Sequence, residues 1–382
     1  MNDEHYMKLA LDLAAMGCGF VNPNPMVGAV IVKAGEIVGK GFHEKYGEAH
    51  AERNALAACA SSPEGATLYV TLEPCCHYGR TPPCTDAIIE SGISRVVIGS
   101  LDPNPAVSGK GAHILRQHGI EAAVGILENE CRSLNEVFFH YITTKTPFVV
   151  MKYAMTMDGK IAAYTGKSKW ITGEAARRKV HMDRHRFSAV MVGVGTVVAD
   201  NPLLTCRLED VGCAAGSDRS APNQTYKNPV RIICDTHMRT PLDSQVVATA
   251  NAVPTIIATA CTDEARRKDY IDRGCKIIAV PEKGGHIDLN GLMVRLGEEK
   301  IDSILLEGGG AVNWSALNSG IVNKVQAYVS PKILGGADAK SPVSGLGAES
   351  PENAFFLRNS TVTEIGGDIL IESEVVRKCS PA

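Results

Sequence analysis

Three residues far apart in the chain, His50, Cys75 and Cys84, carry the side chains of a zinc site, and a fold that used them would have to bring them to one point. One imidazole and two thiolates suit Zn²⁺, and a tetrahedral ion with three protein ligands keeps its fourth position for water. Glu52, two residues after His50, is a carboxylate that need not be a ligand and can move the protons of such a water. The order His-x-Glu, then Pro74-Cys75, then a second cysteine follows the signature of zinc-dependent deaminases. The spacing departs from it: Cys84 lies nine positions after Cys75, where the signature has two residues between the cysteines. Singly, these residues say little. A lone His50 would be an ordinary helix histidine, and a lone Cys75 or Cys84 a small buried hydrophobe. A closed structural site is also open, with Cys76 or His77 as fourth ligand. The joint pattern favours catalysis, and Pro74 directly before Cys75 selects that thiol over Cys76.

The surrounding periodicity supplies a frame. A helix capped by Asp3 and stopped by Gly17 comes first, with Tyr6, Leu9, Ala10 and Leu13 at helical spacing. Strands at 27–32 and 37–42 form a hairpin about Lys33-Ala34-Gly35-Glu36. Helices are expected at 50–60, 84–91, 114–118 and 128–143, and strands at 68–72, 96–99 and 121–124. His50 and Cys84 then stand at helix starts, where partial positive charge favours thiolate, and Cys75 follows the carboxyl end of a strand.

Residues 143–147 are the expected boundary between domains 1–145 and 146–382. Beyond them a second βα alternation has strands at 148–154, 189–192, 230–234, 255–259, 276–280, 304–306 and 325–329. Its helices are expected at 174–186, 263–273, 289–296 and 311–318, and residues 209–228 read as an exposed loop. This is a full α/β domain. Gly193-Val194-Gly195-Thr196 and Glu307-Gly308-Gly309-Gly310 each follow a strand, as phosphate-binding turns do, yet neither is a G-x-G-x-x-G fingerprint. Lys152, Arg184 and Arg207 are available for a second phosphate.

The net charge of −3 and 5% aromatic content argue against a nucleic-acid surface. Twelve scattered cysteines in 382 residues are too dilute for a disulfide scaffold. The acidic N-terminus lacks a signal-peptide pattern, and no apolar run reaches membrane-spanning length. The cytosol, no membrane, and a homo-oligomer are the expectations.

The motifs of both halves together resemble the bifunctional riboflavin-biosynthesis deaminase–reductases of bacteria. The likeness rests on Asn24-Pro25-Met26-Val27-Gly28, Gly47–Glu52, Thr71–Cys75, His77–Cys84 and Asp102–Pro105 in the first half. In the second it rests on Met157–Ala162, Ser168–Thr172, Gly193–Thr196, Asp200–Pro202, Leu204–Arg207, Leu306–Gly310 and Pro331–Gly336. The wide cysteine gap is what this family shows, and serine is usual where this chain has Cys76. The resemblance implies an α/β chain: an N-terminal cytidine-deaminase-like three-layer domain and a C-terminal dihydrofolate-reductase-like α/β domain. It implies zinc-dependent deamination of 2,5-diamino-6-(5-phosphoribosylamino)pyrimidin-4-one, then NADPH reduction of the ribosyl group to ribityl. The alternative is a monofunctional nucleoside or tRNA deaminase with an unrelated α/β domain.

By the same resemblance, His50, Cys75 and Cys84 hold zinc, Glu52 is the acid–base residue, and Asn24, His43, Arg80 and Asn104 bind the first substrate. NADPH positions fall on Ala154, Trp170, Thr196, Asp200, Thr236, Gly309, Gly310, Ala311, Val312, Asn313, Trp314 and Ser315. The second substrate falls on Lys152, Ser168, Thr172, Arg184, Leu204, Arg207 and Glu307, with Arg184 and Arg207 as a phosphate clamp. Asp200 and Glu307 are the candidate proton donors of the reduction.

Overall fold

The computed structural model describes residues 2–78, 82–104, 107–208 and 226–376. Arg80 and most of the 209–228 loop lie outside these residues. The chain forms two compact units, residues 1–145 and 146–382.

In chain order the first unit has α1 (Asp3–Ala15), β1 (Gly28–Lys33), β2 (Glu36–Phe42), α2 (Ala51–Ala57), β3 (Thr67–Leu72), α3 (Cys84–Glu90) and β4 (Arg95–Ser100). It continues with α4 (Lys110–Gln117), β5 (Glu121–Val124), α5 (Glu128–Leu134) and α6 (Glu136–Thr144). Its sheet has the order β2-β1-β3-β4-β5. β1 runs antiparallel to β2 and β3, and β3, β4 and β5 run parallel. Strand alternation divides the apolar residues between two cores. Ala29, Ile31, Leu68 and Val70 face α2, α3 and α4, while Val30, Val32 and Tyr69 face α1 and α5. The result is a three-layer α/β/α unit.

Two local readings differ. Asn2, not Asp3, caps α1, accepting from the Glu4 N–H. Asp3 is drawn away into a two-pronged ion pair with Arg95, at 3.0 and 2.9 Å, and accepts from the Tyr69 hydroxyl. The helix expected over 128–143 is broken at Asn135, whose side chain bonds to the backbone of Met26.

The second unit comprises β6 (Phe148–Thr156), α7 (Glu174–Arg186), β7 (Ala189–Gly193), α8 (Val194–Asp200), β8 (Val230–Cys234), α9 (Gln245–Ala248), β9 (Thr255–Thr259), α10 (Glu264–Ile271) and β10 (Lys276–Ala279). There follow a short hairpin β11 (Glu282–Lys283) and β12 (His286–Ile287), α11 (Leu289–Glu298), β13 (Ser303–Leu306), α12 (Gly310–Asn318), β14 (Val322–Ser330), β15 (Leu357–Ile365) and β16 (Asp368–Val375). The main sheet has the order β10-β9-β8-β7-β13-β6-β14-β16-β15. It is parallel up to β14, and β16 and β15 are antiparallel. β13 is inserted between β7 and β6, so the carboxyl ends of all three meet at a switch point, where open α/β sheets hold ligands.

The sequence reading missed β15 and β16. β15 is exposed at every position but the last, so it has no apolar alternation to detect. Gly193–Thr196, read as a loop, is instead the end of β7 and the first turn of α8.

Candidate active sites

The first site grows from three element ends. α2 begins immediately after His50, and a Cβ on Gly41 would lie 2.5 Å from the Ala55 nitrogen, so that glycine lets α2 rest directly on β2. Glu73-Pro74-Cys75 continues from the carboxyl end of β3, and α3 opens at Cys84. His50 Nδ1 lies 3.5 Å from Cys75 Sγ and 3.4 Å from Cys84 Sγ. Ordinary Zn–N and Zn–S bond lengths at a tetrahedral angle require about 3.6 Å between such atoms. All three ligand atoms fall within 4.8 Å of one another, and the set fits zinc. The Cys84 N–H donates to Cys75 Sγ at 3.3 Å. Hydrogen bonding from Cys84, and then from His50, draws the Cys75 thiol down to about 4, towards the thiolate that a metal needs. Arg53 donates to the carbonyls of Pro82 and Pro83 at 3.1 and 3.0 Å, fixing the approach to Cys84. Neither Cys76 nor His77 belongs to the ligand group, which speaks for an open site.

Glu52 occupies the first turn of α2, 3% exposed, and lines the same cavity as His50 and Cys75. Burial, followed by the Cys75 charge, pushes its carboxyl up to about 7. A carboxyl so poised can both take and return a proton near neutrality.

The cavity, about 350 Å³, also gathers Asn24, His43 and Asn104. His43 Nδ1 lies 3.0 Å from the Ala49 carbonyl, which can only accept, so this nitrogen carries the hydrogen. Burial holds His43 below the usual histidine range, leaving Nε2 to accept from Asn24 Nδ2 at 3.2 Å. Lining residues that sequence reasoning did not single out include Tyr46, Phe138 and Ile142, while Asp102 lines the cavity from the quoted Asp102–Pro105 motif. Phe138 and Ile142 are four apart on one helix, a spacing visible in the sequence, but nothing there says what they face.

In the second unit the two glycine turns meet. Thr196 Oγ1 donates to the Gly308 carbonyl at 3.4 Å, and Gly309, at φ +91°, precedes α12. A Cβ on Gly309 would stand 3.3 Å from Thr196 Oγ1, so both the conformation and the close approach favour glycine. Gly310, Ala311, Val312, Asn313, Trp314 and Ser315 form the first turns of α12. Two of their side chains are engaged elsewhere: Asn313 donates to the Pro342 carbonyl, and Trp314 packs edge-on to Phe355. Ala154 lies on β6, Thr236 follows β8, and Asp200 is exposed at the end of α8. Trp170 is 63% exposed, which excludes a core role, and the Arg177 guanidinium lies over its ring at 4.5 Å. Ser168 is half-buried and Thr172 buried in the adjoining segment.

Arg184 differs from its expected part in a phosphate clamp with Arg207, being paired instead with Glu307. Arg184 Nε and Nη2 both donate to the Glu307 carboxylate, the latter at 2.8 Å, and Nη1 donates to the Thr205 carbonyl at 2.9 Å. Burial opposes charge on Glu307, but Arg184 and then Lys152 outweigh it and hold the carboxyl below its ordinary range. Glu307 is therefore ionised, and not an acid, while so paired. Lys152 lies 5.6 Å from the Tyr328 ring centre, and burial lowers its pKa. Leu204, at φ +54°, buries its side chain in the core, so only its backbone is available to a ligand. Arg207 donates to Thr205 Oγ1 at 3.0 Å, and its N–H donates to His181. Glu307→Ala is expected to lower stability by about 3–5 kcal/mol, because a buried Arg184 loses its counter-charge. Urea unfolding of the two proteins measures this, and equal midpoints would refute it.

Family models match both halves. The cytidine and deoxycytidylate deaminase zinc-binding region covers residues 1–100, and the RibD C-terminal domain covers residues 147–371. Fold and site thus define a zinc-dependent deaminase of the cytidine-deaminase class joined in one chain to a reductase. Riboflavin biosynthesis protein RibD of Actinobacillus pleuropneumoniae is 52% identical over 376 residues, 98% of this chain and 96% of the relative. RibD of Escherichia coli is 38% identical, with 97% and 99% covered. A solved Acinetobacter baumannii RibD superposes at TM-score 0.85 with 34% identity, covering 98% of this chain and 99% of its own. A Thermotoga maritima diaminohydroxyphosphoribosylaminopyrimidine deaminase/5-amino-6-(5-phosphoribosylamino)uracil reductase does so at 0.81 with 40% identity and the same coverage. The chain belongs to the RibD family, the bifunctional deaminase–reductases of riboflavin biosynthesis. No helix among the described residues is long and apolar enough to cross a membrane.

Proposed function

We propose that residues 1–145 remove the exocyclic amine of 2,5-diamino-6-(5-phosphoribosylamino)pyrimidin-4-one as ammonia, and that residues 146–382 reduce the product's ribosyl group with NADPH. The observation that carries this reading is the His50–Cys75–Cys84 group with the buried Glu52 in the same cavity. Zinc, when held by those three residues, supplies an ionisable water at its fourth position. Glu52 would take that water's two protons in turn, passing the first to the ring nitrogen as the water's oxygen bonds to the amine-bearing carbon and the second to the amine as its C–N bond breaks. Asn24, His43 and Asn104 orient the pyrimidine, and Arg80 contributes to its binding.

In the second domain Thr196, Thr236, Asp200, Ala154, Trp170 and the turn from Gly309 to Ser315 bind NADPH, which supplies the hydride. Lys152, Ser168, Thr172, Leu204, Arg207 and the Arg184–Glu307 pair hold the phosphoribosyl substrate. Arg207, rather than Arg184, is the better phosphate ligand, since Arg184 is committed to Glu307. The enzyme works in the cytosol as a homo-oligomer and takes no nucleic acid. The test is to supply the diaminopyrimidine with and without NADPH. Without it, ammonia and a product with oxygen in place of one amine are expected; with it, a product carrying two further hydrogens. Release of ammonia with no NADPH oxidation would remove the second half of the proposal.

A further inference from the structure

We infer that Asn135 is a positioning residue for the deaminase substrate, joining two walls of the cavity; the inference rests on the reading of residues 1–145 as the deaminase. Asn135 is 2% exposed. Its Oδ1 accepts from the Met26 N–H at 2.8 Å, and its Nδ2 donates to the Met26 carbonyl at 2.9 Å. One amide thus satisfies both backbone groups of a residue 109 positions earlier, as a neighbouring strand would. Met26 directly follows Asn24 and Pro25, which line the cavity.

On its other side Asn135 ends α5 and begins α6, and its carbonyl accepts the Phe139 N–H at 2.9 Å. α6 carries Phe138 and Ile142 to the same cavity. The amide therefore sets the distance between the loop that bears Asn24 and the apolar wall of α6. The zinc-binding region match covers residues 1–100, so Phe138 and Ile142 lie outside the matched metal-binding frame. A ring bound between Asn24 and Phe138 depends on that spacing, whereas the zinc ligands lie just before α2, just after β3 and at the start of α3.

The test uses Asn135→Asp and Asn135→Leu in the full chain. Aspartate keeps the shape and can accept from Met26 N–H, but its oxygen faces the Met26 carbonyl. Leucine can pair with neither group. Loss of one such bond corresponds to a rise in deaminase KM of about fivefold, and loss of both to about thirtyfold. Zinc content and the NADPH-dependent step on the deaminated substrate are expected to stay at the parent level, with kcat changed less than KM. A residue that only stabilised the fold would lower zinc content or melting temperature without separating KM from kcat, and that result, or an unchanged KM in Asn135→Asp, overturns the inference. Asn24→Ala is measured in parallel. A raised KM there with none in Asn135→Asp rejects the role of Asn135 alone; no rise in either rejects the cavity as the substrate site.

Discussion

Glutamine in place of Glu52 is expected to cut ammonia release by about 10²–10⁴-fold while zinc stays bound and the NADPH-dependent step is unaffected. The side chain keeps its size, so the first turn of α2 and the ligand His50 keep their places. What disappears is a group able to accept a proton and give it back. Glu52 suits that task because burial, reinforced by the Cys75 charge, pushes its carboxyl up to about 7, where both protonation states are accessible near neutral pH. Deamination needs both: proton removal from water, then proton delivery to the nitrogen that leaves. Glutamine can hydrogen-bond to the water but performs neither transfer. The second unit provides an internal control, since its activity on the deaminated substrate reports that the chain is intact. Ammonia release near the parent rate, with zinc confirmed, would exclude Glu52 from proton transfer.

The zinc group was legible because metal valence imposes residue types on short segments: His50 before a helix, Cys75 after a strand, Cys84 at a helix start. Local periodicity located most of the strands that deliver them. Contacts made across long stretches of chain were not legible. Arg184 reads locally as a cation on a helix, available to phosphate. Its partner Glu307 is 123 residues away and reaches it only because β13 is inserted between β7 and β6, which no periodicity announces. Asn135 falls within a helical pattern, and only its bonds to Met26 explain the break. Phe138 and Ile142 line the first cavity for the same reason: the cavity is assembled by the fold rather than written in one motif.

Cys75→Ser is expected to lose zinc and with it all deamination, whereas Cys76→Ser keeps both. Cys75 has two roles at once. Its sulfur stands from His50 Nδ1 at the separation of two ligands of one zinc, and it accepts the N–H of Cys84, so it also fixes the start of α3, which carries the other thiolate. A serine hydroxyl does not ionise near neutral pH and is a poor ligand for zinc beside a thiolate and an imidazole. The shorter oxygen also weakens the contact with the Cys84 amide, so the loss extends to the second ligand. Cys76 is adjacent in sequence but lies outside the ligand group, and burial raises its thiol above the ordinary range, away from thiolate. Zinc per chain, measured by atomic absorption after dialysis, separates the two variants, and chelation of the parent protein should mimic Cys75→Ser while leaving NADPH oxidation on the deaminated substrate unchanged. Stoichiometric zinc in Cys75→Ser, or its loss in Cys76→Ser, would move the ligand from one thiol to the other and take the link to α3 with it.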